Sequence, residues 1–304
     1  MFTPLTVCFV VSVWVGGSLC QPEPDTVYNT IAFYGATKFL EYTARLPELD
    51  TRLKDASESL TVFAPTNRAF DELPADVKNA LDTDQTLLTS VINYHVVAGL
   101  PEFTDNALLA TLGGASARVN VYTTPSVITI AGSAFLLWDI PATNGQVVIV
   151  TKVMYPVPTG TALSLVNGDT FSMLLLALTR ADASALLNVE GMTFLAPSDA
   201  AFQKLAPGVY ADLLNNIPQL TTVLLNHMIT GVWFSAGLQD GATLTSETDQ
   251  SLVIGLSAST FTIGGATVTS RDVTVTNGVV HVIDTVLLPP ALTVAAPAPS
   301  FRVV

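Results

Sequence analysis

The amino-acid sequence predicts an α+β protein made of two tandem copies of one domain, each a mostly antiparallel sheet packed with several helices. One observation behind this prediction is a string that occurs twice, 132 residues apart, as TVFAPTNRAF at 61–70 and TFLAPSDAAF at 193–202. The other is the order of patterns within each copy, because helical periodicity comes first and strand-like segments follow. Helices followed by strands, with few alternating units, are typical of α+β domains.

Two further landmarks keep nearly the same interval. They are Tyr94-His95 against Asn226-His227, and NGQVVIVTKVMYP from Asn144 against NGVVHVIDTVLLP from Asn277. A period of this length is too long for a solenoid repeat and suits a whole domain. We therefore place the copies at residues 21–158 and 159–290, and expect the proline-rich segment 156–160 to be a stiff spacer.

The first half of each copy is predicted to be helical. Apolar residues recur at helical spacing between Ile31 and Leu46, and again between Leu163 and Leu187. A longer amphipathic helix is expected to end at His95 in the first copy and at His227 in the second. A cation is favoured at that end of a helix, and we expect both histidines to be packed, hydrogen-bonded structural groups there.

The repeated string predicts a strand, a proline stop and a capped helical turn. Thr61 begins the strand and Pro65 ends it, as Pro197 does in the second copy. Thr66 and Ser198 are suitable helix N-caps, after which Phe70 and Phe202 fall on the buried face. None of these groups is reactive, so the sequence favours an architectural role for the string.

The last third of each copy is predicted to form strands. TFTIGGATVT at 260–269 alternates apolar and polar residues around Gly264-Gly265, which suit a two-residue hairpin turn. Ile263 is expected to face Ala266 across that turn. VITIAGSAF at 127–135 is a less regular version of the same pattern.

Both ends of the chain carry special segments. Residues 1–20 have no charged side chain, and an apolar run is followed by small residues, as in a secretory signal cleaved after Cys20. Cleavage there removes both cysteines, Cys8 and Cys20, so the mature chain would hold no disulfide. Residues 291–304 are expected to form a short disordered tail. These features predict a secreted protein without a transmembrane segment in the mature chain.

Composition and motifs exclude several function classes. Charged residues make up 12% of the 304 residues and the net charge is −13, so nucleic acid is an unfavourable partner. The sequence has no Gly-x-Ser-x-Gly elbow and no His-Glu-x-x-His helix, and it contains three histidines. We therefore expect no enzyme activity, no cofactor and no metal. His281 and Asp284 lie three residues apart on a predicted strand, which makes them a poor metal pair.

The three landmarks together resemble the fasciclin family. The resemblance covers about 25–157 and 160–290, nearly all of the mature chain. It implies a compact wedge of twisted antiparallel sheet and packed helices. It also implies an extracellular protein of the matrix or cell wall that acts in adhesion, with an extracellular protein or cell-surface receptor as partner.

The resemblance further implies candidate contact residues. In some members of the family an Asp–Ile pair near the last landmark contributes to receptor recognition. Asp139-Ile140 and Asp272-Val273 occupy that position here. Each copy also departs from the family pattern, since Asn226 replaces the tyrosine and the first copy lacks counterparts of His281 and Asp284. An ordinary strand-edge aspartate remains the alternative for both acidic residues.

Two other functions stay open at the level of sequence. One is binding of wall polysaccharide or a small apolar ligand, for which Trp138 and Trp233 supply aromatic surface. The other is an unrecognised hydrolase that uses His227. The sequence names no specific partner for any of these functions.

Overall fold

A computed structural model describes residues 25–257 and 259–289. Two α+β units follow one another along the chain, each with a seven-stranded sheet and several helices, so the predicted fold class is confirmed. We call the unit before segment 156–160 domain 1 and the unit after it domain 2. The predicted signal segment 1–20 and the predicted tail 291–304 lie outside the described residues.

Domain 1 begins with helices and ends with strands. Its helices are α1 (Val27–Phe33), α2 (Thr37–Thr43), α3 (Pro47–Lys54), α4 (Asn67–Asp71), α5 (Ala75–Thr83) and α6 (Gln85–Tyr94). Its strands are β1 (Leu60–Pro65), β2 (Val96–Ala98), β3 (Leu108–Ala110), β4 (Ser116–Thr123), β5 (Ser126–Ile130), β6 (Ser133–Ala142) and β7 (Gly145–Val150). The strand order is β2-β1-β7-β6-β5-β4-β3.

Domain 2 repeats this arrangement. Its helices are α7 (Ala162–Val166), α8 (Ser172–Arg180), α9 (Asp199–Gln203), α10 (Val209–Asn215) and α11 (Ile217–Asn226), with short 3-10 turns at Asp169–Phe171, Ser184–Asn188 and Ser235–Gly237. Its strands are β8 (Met192–Pro197), β9 (Met228–Thr230), β10 (Thr243–Thr245), β11 (Ser251–Leu256), β12 (Phe261–Ile263), β13 (Ala266–Val275) and β14 (Gly278–Ile283). The order β9-β8-β14-β13-β12-β11-β10 matches that of domain 1 strand for strand.

One pair of strands in each sheet is parallel. β1 pairs in parallel with β7, and β8 with β14, whereas all other neighbouring strands are antiparallel. β1 is buried at all six positions, because helices cover one of its faces and β3–β5 curl over the other. Each domain therefore has two large core clusters, one on each side of its central strands, and domain 2 has a further small cluster of Val232, Phe234 and Val279.

The repeated string forms the predicted strand, stop and capped turn. The side chains of Thr66 and Ser198 accept hydrogen bonds from the backbone N–H groups of Ala69 and Ala201. Phe70 and Phe202, four residues after each cap, are 3% and 4% exposed. The string thus fastens a short helix to the central strand in both domains.

The Gly264-Gly265 hairpin is confirmed. Ile263 pairs with Ala266, and both glycines have positive φ, as a two-residue turn between antiparallel strands requires. The less regular copy in domain 1 forms the same turn through Ala131 and Gly132, with φ of +46° and +76°. Alanine in this left-handed conformation carries a steric cost that glycine avoids.

Candidate functional site

The candidate contact residues lie at equivalent β-bulges. β6 shifts its register against β7 on either side of Leu137, and β13 shifts against β14 around Ser270. Asp139 and Asp272 have φ of +57° and +60°, a left-handed conformation that aspartate tolerates better than most residues. Bulges re-aim side chains at the edge of a ladder, so in both domains the bulge sets the direction of an aspartate side chain.

The bulge of domain 1 is an exposed surface. Leu136, Leu137 and Trp138 are 54%, 44% and 50% exposed, and Asp139 is exposed beside them. We call these four residues the β6 ridge. Ile140, the second member of the predicted pair, is 8% exposed and packs in the helix-side core. The β6 ridge therefore exposes three large apolar side chains and one carboxylate to solvent. Ile140, the next residue of the strand, is buried in the core beneath it.

The bulge of domain 2 is occupied by contacts within the chain. The Asp272 side chain is 12% exposed, and its Oδ1 accepts a hydrogen bond from the backbone N–H of Ser235 at 2.6 Å. Its Oδ2 accepts from the Ser235 hydroxyl and lies 3.0 Å from Nζ of Lys152, which belongs to domain 1. Burial alone would raise the pKa of Asp272, but Lys152, His281 and Ser235 together hold it below its usual value. Val273 packs against the core of domain 2.

Lys152 and Asp272 belong to a larger joint between the domains. Tyr122 of domain 1 donates its hydroxyl to the Val232 carbonyl at 3.0 Å and accepts a hydrogen bond from the Phe234 N–H at 3.0 Å. A side chain at Gly237 would overlap the Tyr122 ring, so the glycine permits this close approach. Burial raises the pKa of the Tyr122 hydroxyl, which keeps it neutral and able to donate.

Polar contacts extend the joint beyond Tyr122. The Thr274 hydroxyl donates to the carbonyl of Pro156 in the spacer, and Arg118 lies 3.4 Å from the Glu190 carboxylate. The Phe234 ring packs so closely on Gly132 that a side chain there would overlap it. The two domains are therefore held by a specific set of contacts and not by the spacer alone.

The side chains of His95 and His227 form hydrogen bonds that link the end of a helix to the segment after the last strand of the same domain. Nδ1 of each ring donates to a carbonyl one turn earlier in its helix, that of Val91 or Val223, at 2.7 Å. Nε2 accepts from the backbone N–H of Met154 at 2.9 Å in domain 1 and of Leu287 at 3.0 Å in domain 2. This pairing requires the neutral ring, and burial lowers the pKa of both histidines to about 4. Burial thus outweighs the helix-end preference for a cation.

His281 has a comparable backbone role at the joint. Its Nε2 donates to the Trp233 carbonyl at 2.9 Å, and its Nδ1 accepts from the N–H of Asp272 at 3.2 Å. Burial lowers the pKa of His281, although the Asp272 carboxylate opposes the shift. Asp284 lies at the end of β14, where it accepts from the Thr267 N–H and pairs with Lys204 at 2.8 Å. The two side chains have separate partners.

The remaining motif residues also have structural partners. Thr61 donates its hydroxyl to the Gly99 carbonyl at 2.7 Å, and the matching contact in domain 2 joins Thr193 to Gly231. Pro65 ends β1 and Pro197 ends β8. Tyr94 donates to the Ser116 carbonyl at 3.3 Å. Its counterpart Asn226 donates to the Leu287 carbonyl and accepts from Ser246 and Thr248, so a local polar network replaces the tyrosine.

Two asparagines of comparable importance were not predicted as site residues. Asn144 accepts from the Val27 N–H at 2.7 Å and donates to the carbonyls of Leu53 and Asp55. Asn277 makes the same three contacts in domain 2, with Ala162, Leu187 and Val189. Each therefore ties the first helices of its domain to the turn before the last strand. Their place at the head of the third landmark was the signal in the sequence.

The histidines and the acidic groups of the described residues bear on catalysis and metal binding. All three histidines have both ring nitrogens engaged by backbone groups, so none is available as a base. Within residues 25–257 and 259–289, no group of three or more His, Cys, Asp or Glu side chains could hold a metal. Over the same residues, no helix has the length and apolar character needed to cross a membrane.

Comparison with known proteins agrees with this architecture. The family model for the fasciclin domain matches residues 35–156 and 169–289, so the chain belongs to the fasciclin-domain family. With two such domains, the chain is a tandem fasciclin-domain protein.

Individual relatives cover most of the chain. The transforming growth factor-beta-induced protein ig-h3 of Sus scrofa is 29% identical over 271 residues, which are 87% of this chain and 40% of that protein. Human periostin is 26% identical over 275 residues, again 87% of this chain but 32% of its own length. The chain thus spans less than half of these relatives. The solved domain pair of the insect cell adhesion molecule fasciclin I aligns at 22% identity and a TM-score of 0.44, covering 85% of this chain and 98% of that one.

Proposed function

We propose that this protein is a secreted adhesion protein that contacts an extracellular protein or cell-surface receptor through the β6 ridge. Membership of the fasciclin-domain family supports a general adhesion role, and the signal-like segment 1–20 supports secretion to the matrix or cell wall. The observation that carries the proposal is the exposure of Leu136, Leu137, Trp138 and Asp139 on one bulged strand.

The composition of the ridge suits a protein partner. Contact surfaces between proteins are enriched in aromatic residues at their centre, and a few anchors supply most of the binding energy. Trp138 provides such an anchor, and the adjacent Asp139 carboxylate gives charge specificity. The equivalent positions in domain 2 are Thr269, Ser270 and Arg271, which provide no apolar surface. Domain 1 is therefore the contact domain in this proposal.

Asp272 and Val273 of domain 2 have a different proposed role from that of the β6 ridge. The Asp272 carboxylate is held by Ser235 and Lys152. For it to reach a partner, these contacts and the joint around them must open. We therefore assign the pair to a secondary contact that forms only in an open arrangement of the domains.

Attachment to native extracellular matrix tests the proposal. Asp139→Asn removes the charge while keeping a side chain that tolerates positive φ, and Trp138→Ala removes the anchor. Asp182→Asn is the matched control, because Asp182 is also exposed with a positive φ of 52°. We expect each ridge variant to lower attachment by at least about tenfold, as loss of a single anchor commonly does. Full attachment by both ridge variants would show that the contact lies elsewhere.

A further inference from the structure

A groove at the joint has the features of a ligand site. Two hollows share Trp233 as a wall, one of 160 Å³ between the domains and one of 370 Å³ within domain 2. We call the two together the Trp233 groove. It is formed by the loop before β3 and the end of β4 on one side, and by β9, β10 and the segments next to them on the other.

The aromatic wall of the groove is fixed in place. The Trp233 indole N–H donates to the Thr230 carbonyl at 3.0 Å, and the Trp233 backbone N–H donates to the Thr193 hydroxyl at 2.8 Å. The ring lies against Tyr122, with centroids 5.7 Å apart. Trp233 remains partly exposed despite these contacts. A rigid, half-buried indole offers apolar surface to a ligand at little cost in conformational entropy.

The smaller hollow contains an unsatisfied polar group. Asp105 accepts from the Val121 N–H and from the Asn106 side chain, both at 2.9 Å, and Asn120 donates to Asn106 at 3.3 Å. Asn120 is 2% exposed and lines the hollow, and its Oδ1 has no hydrogen-bond partner among the described residues. Buried acceptors nearly always have a donor, so this oxygen indicates that something else supplies one.

The charged side chains of the Trp233 groove limit the chemical class of ligand that it can bind. Every charged side chain that lines the two hollows is acidic, namely Asp105, Glu247 and Asp249. Anionic ligands such as sulfated glycans are therefore disfavoured. The other walls consist largely of threonine, asparagine and serine side chains, which suit a polar ligand better than an apolar one.

We propose that the Trp233 groove binds a neutral carbohydrate chain. Sugar hydroxyls donate hydrogen bonds to carboxylate and amide oxygens, and here Asn120, Asp105 and Glu247 supply the acceptors. The C–H face of a sugar ring packs on the indole of Trp233. Because Trp233 lines both hollows, a chain of several sugars that occupied both would cross the tryptophan. This site is separate from the β6 ridge and does not depend on the adhesion proposal.

Calorimetric titration of the full mature chain tests the groove. The probes are neutral hexasaccharides of β-1,4-glucose, β-1,3-glucose and β-1,4-mannose, with a heparin hexasaccharide and calcium chloride as alternatives. We expect at least one neutral probe to bind. Trp233→Ala should weaken binding by at least about tenfold, whereas the control Tyr34→Ala, at an aromatic ring that is 43% exposed and lies outside both hollows, should leave it unchanged.

Two further variants keep the test decisive if Trp233→Ala disturbs folding. Glu247→Gln changes an exposed side chain, and Asn120→Ala removes the unsatisfied acceptor. Each should weaken the same probe several-fold. The proposal is overturned if no neutral probe binds, if only heparin or calcium binds, or if neutral binding survives in the folded groove variants.

Discussion

Asp139 and Asp272 have the same backbone conformation but different surroundings. Both have positive φ at a β-bulge, yet Asp139 is exposed and the Asp272 side chain is 12% exposed beneath contacts from Ser235 and Lys152. The difference arises because Ser235 of domain 2 and Lys152 of domain 1 both contact the second aspartate. The β-bulge therefore sets the backbone conformation of the aspartate, and the residues packed around it determine whether a partner can reach the carboxylate.

The histidines give a prediction about pH at the residue scale. His95 and His227 have pKa values of about 4 in the folded chain, below the ordinary value of 6.5. The unfolded chain therefore binds protons first as the pH falls, so the stability contributed by neutral rings is present above pH 6.5 and is lost between about 6.5 and 4. We expect each histidine to lower the free energy of unfolding by about 2 kcal/mol from pH 7 to pH 5.

Urea denaturation at both pH values measures this change, and NMR titration of the ring protons assigns it. Rings that titrate near pH 6.5 in the folded protein would contradict the account.

At the scale of elements, each domain depends on two connections between its helices and its sheet. The first is the repeated string, whose capped helix is fastened by a buried phenylalanine. The second is the asparagine before the last strand, which bonds to the helical half at three points. Both connections occur in both domains, which explains why the corresponding strings recur along the chain.

The phenylalanine connection is tested by truncation. Phe70→Ala and Phe202→Ala should each lower the free energy of unfolding by about 3–5 kcal/mol, because both rings are almost fully buried. Phe33→Ala is the matched control, since that ring is 67% exposed and should cost less than about 0.5 kcal/mol. A loss below about 1 kcal/mol in the buried variants would show that these rings are not core residues.

The asparagine connection has its own test. Asn144→Ala and Asn277→Ala each leave three backbone groups without a partner, so we expect a loss of about 2–4 kcal/mol in thermal or urea denaturation. Asn79→Ala serves as the control on the exposed face of α5. Equal stability of Asn144→Ala and Asn79→Ala would refute the role of the connection.

Sequence patterns predicted individual turns and helix caps better than the contacts between distant segments. The Gly264-Gly265 turn and the caps Thr66 and Ser198 could be predicted because their signals are local. The parallel pairing of β1 with β7 could not, since it joins segments about 80 residues apart and leaves no periodic trace. A packed, hydrogen-bonded role for His95 is predicted from its place at a helix end, but its neutral state is not. The neutral state depends on complete burial by tertiary packing, which leaves no local signal in the sequence.

At the scale of the whole molecule, the domains form a docked pair. Tyr122 inserts its ring and hydroxyl into domain 2, and the Lys152–Asp272 ion pair lies in the same joint. No pattern in either copy predicted this joint, because it depends on how two folded domains meet. Its consequence is that one bulge is presented to solvent and the other is used internally.

Removal of Tyr122 tests the docked arrangement. Tyr122→Ala deletes the ring and two hydrogen bonds, so the domains should move more independently. In NMR relaxation, we expect one common rotational correlation time for the wild type and shorter, unequal times for the variant. Tyr34→Ala, at a ring 43% exposed, should behave like the wild type. Independent motion of the domains in the wild type would contradict the joint.

The central claim is that the bulge of domain 1 makes the main adhesive contact. It is tested most directly by measuring attachment of Asp139→Asn and Asp272→Asn, each in the full chain at equal concentration, to one matrix-coated surface. We expect Asp139→Asn to lose most of its attachment, because the Asp139 carboxylate is exposed on the β6 ridge. Asp272→Asn should keep attachment close to that of the wild type, since its side chain serves the joint. Equal losses in both variants, or a loss confined to Asp272→Asn, would contradict it.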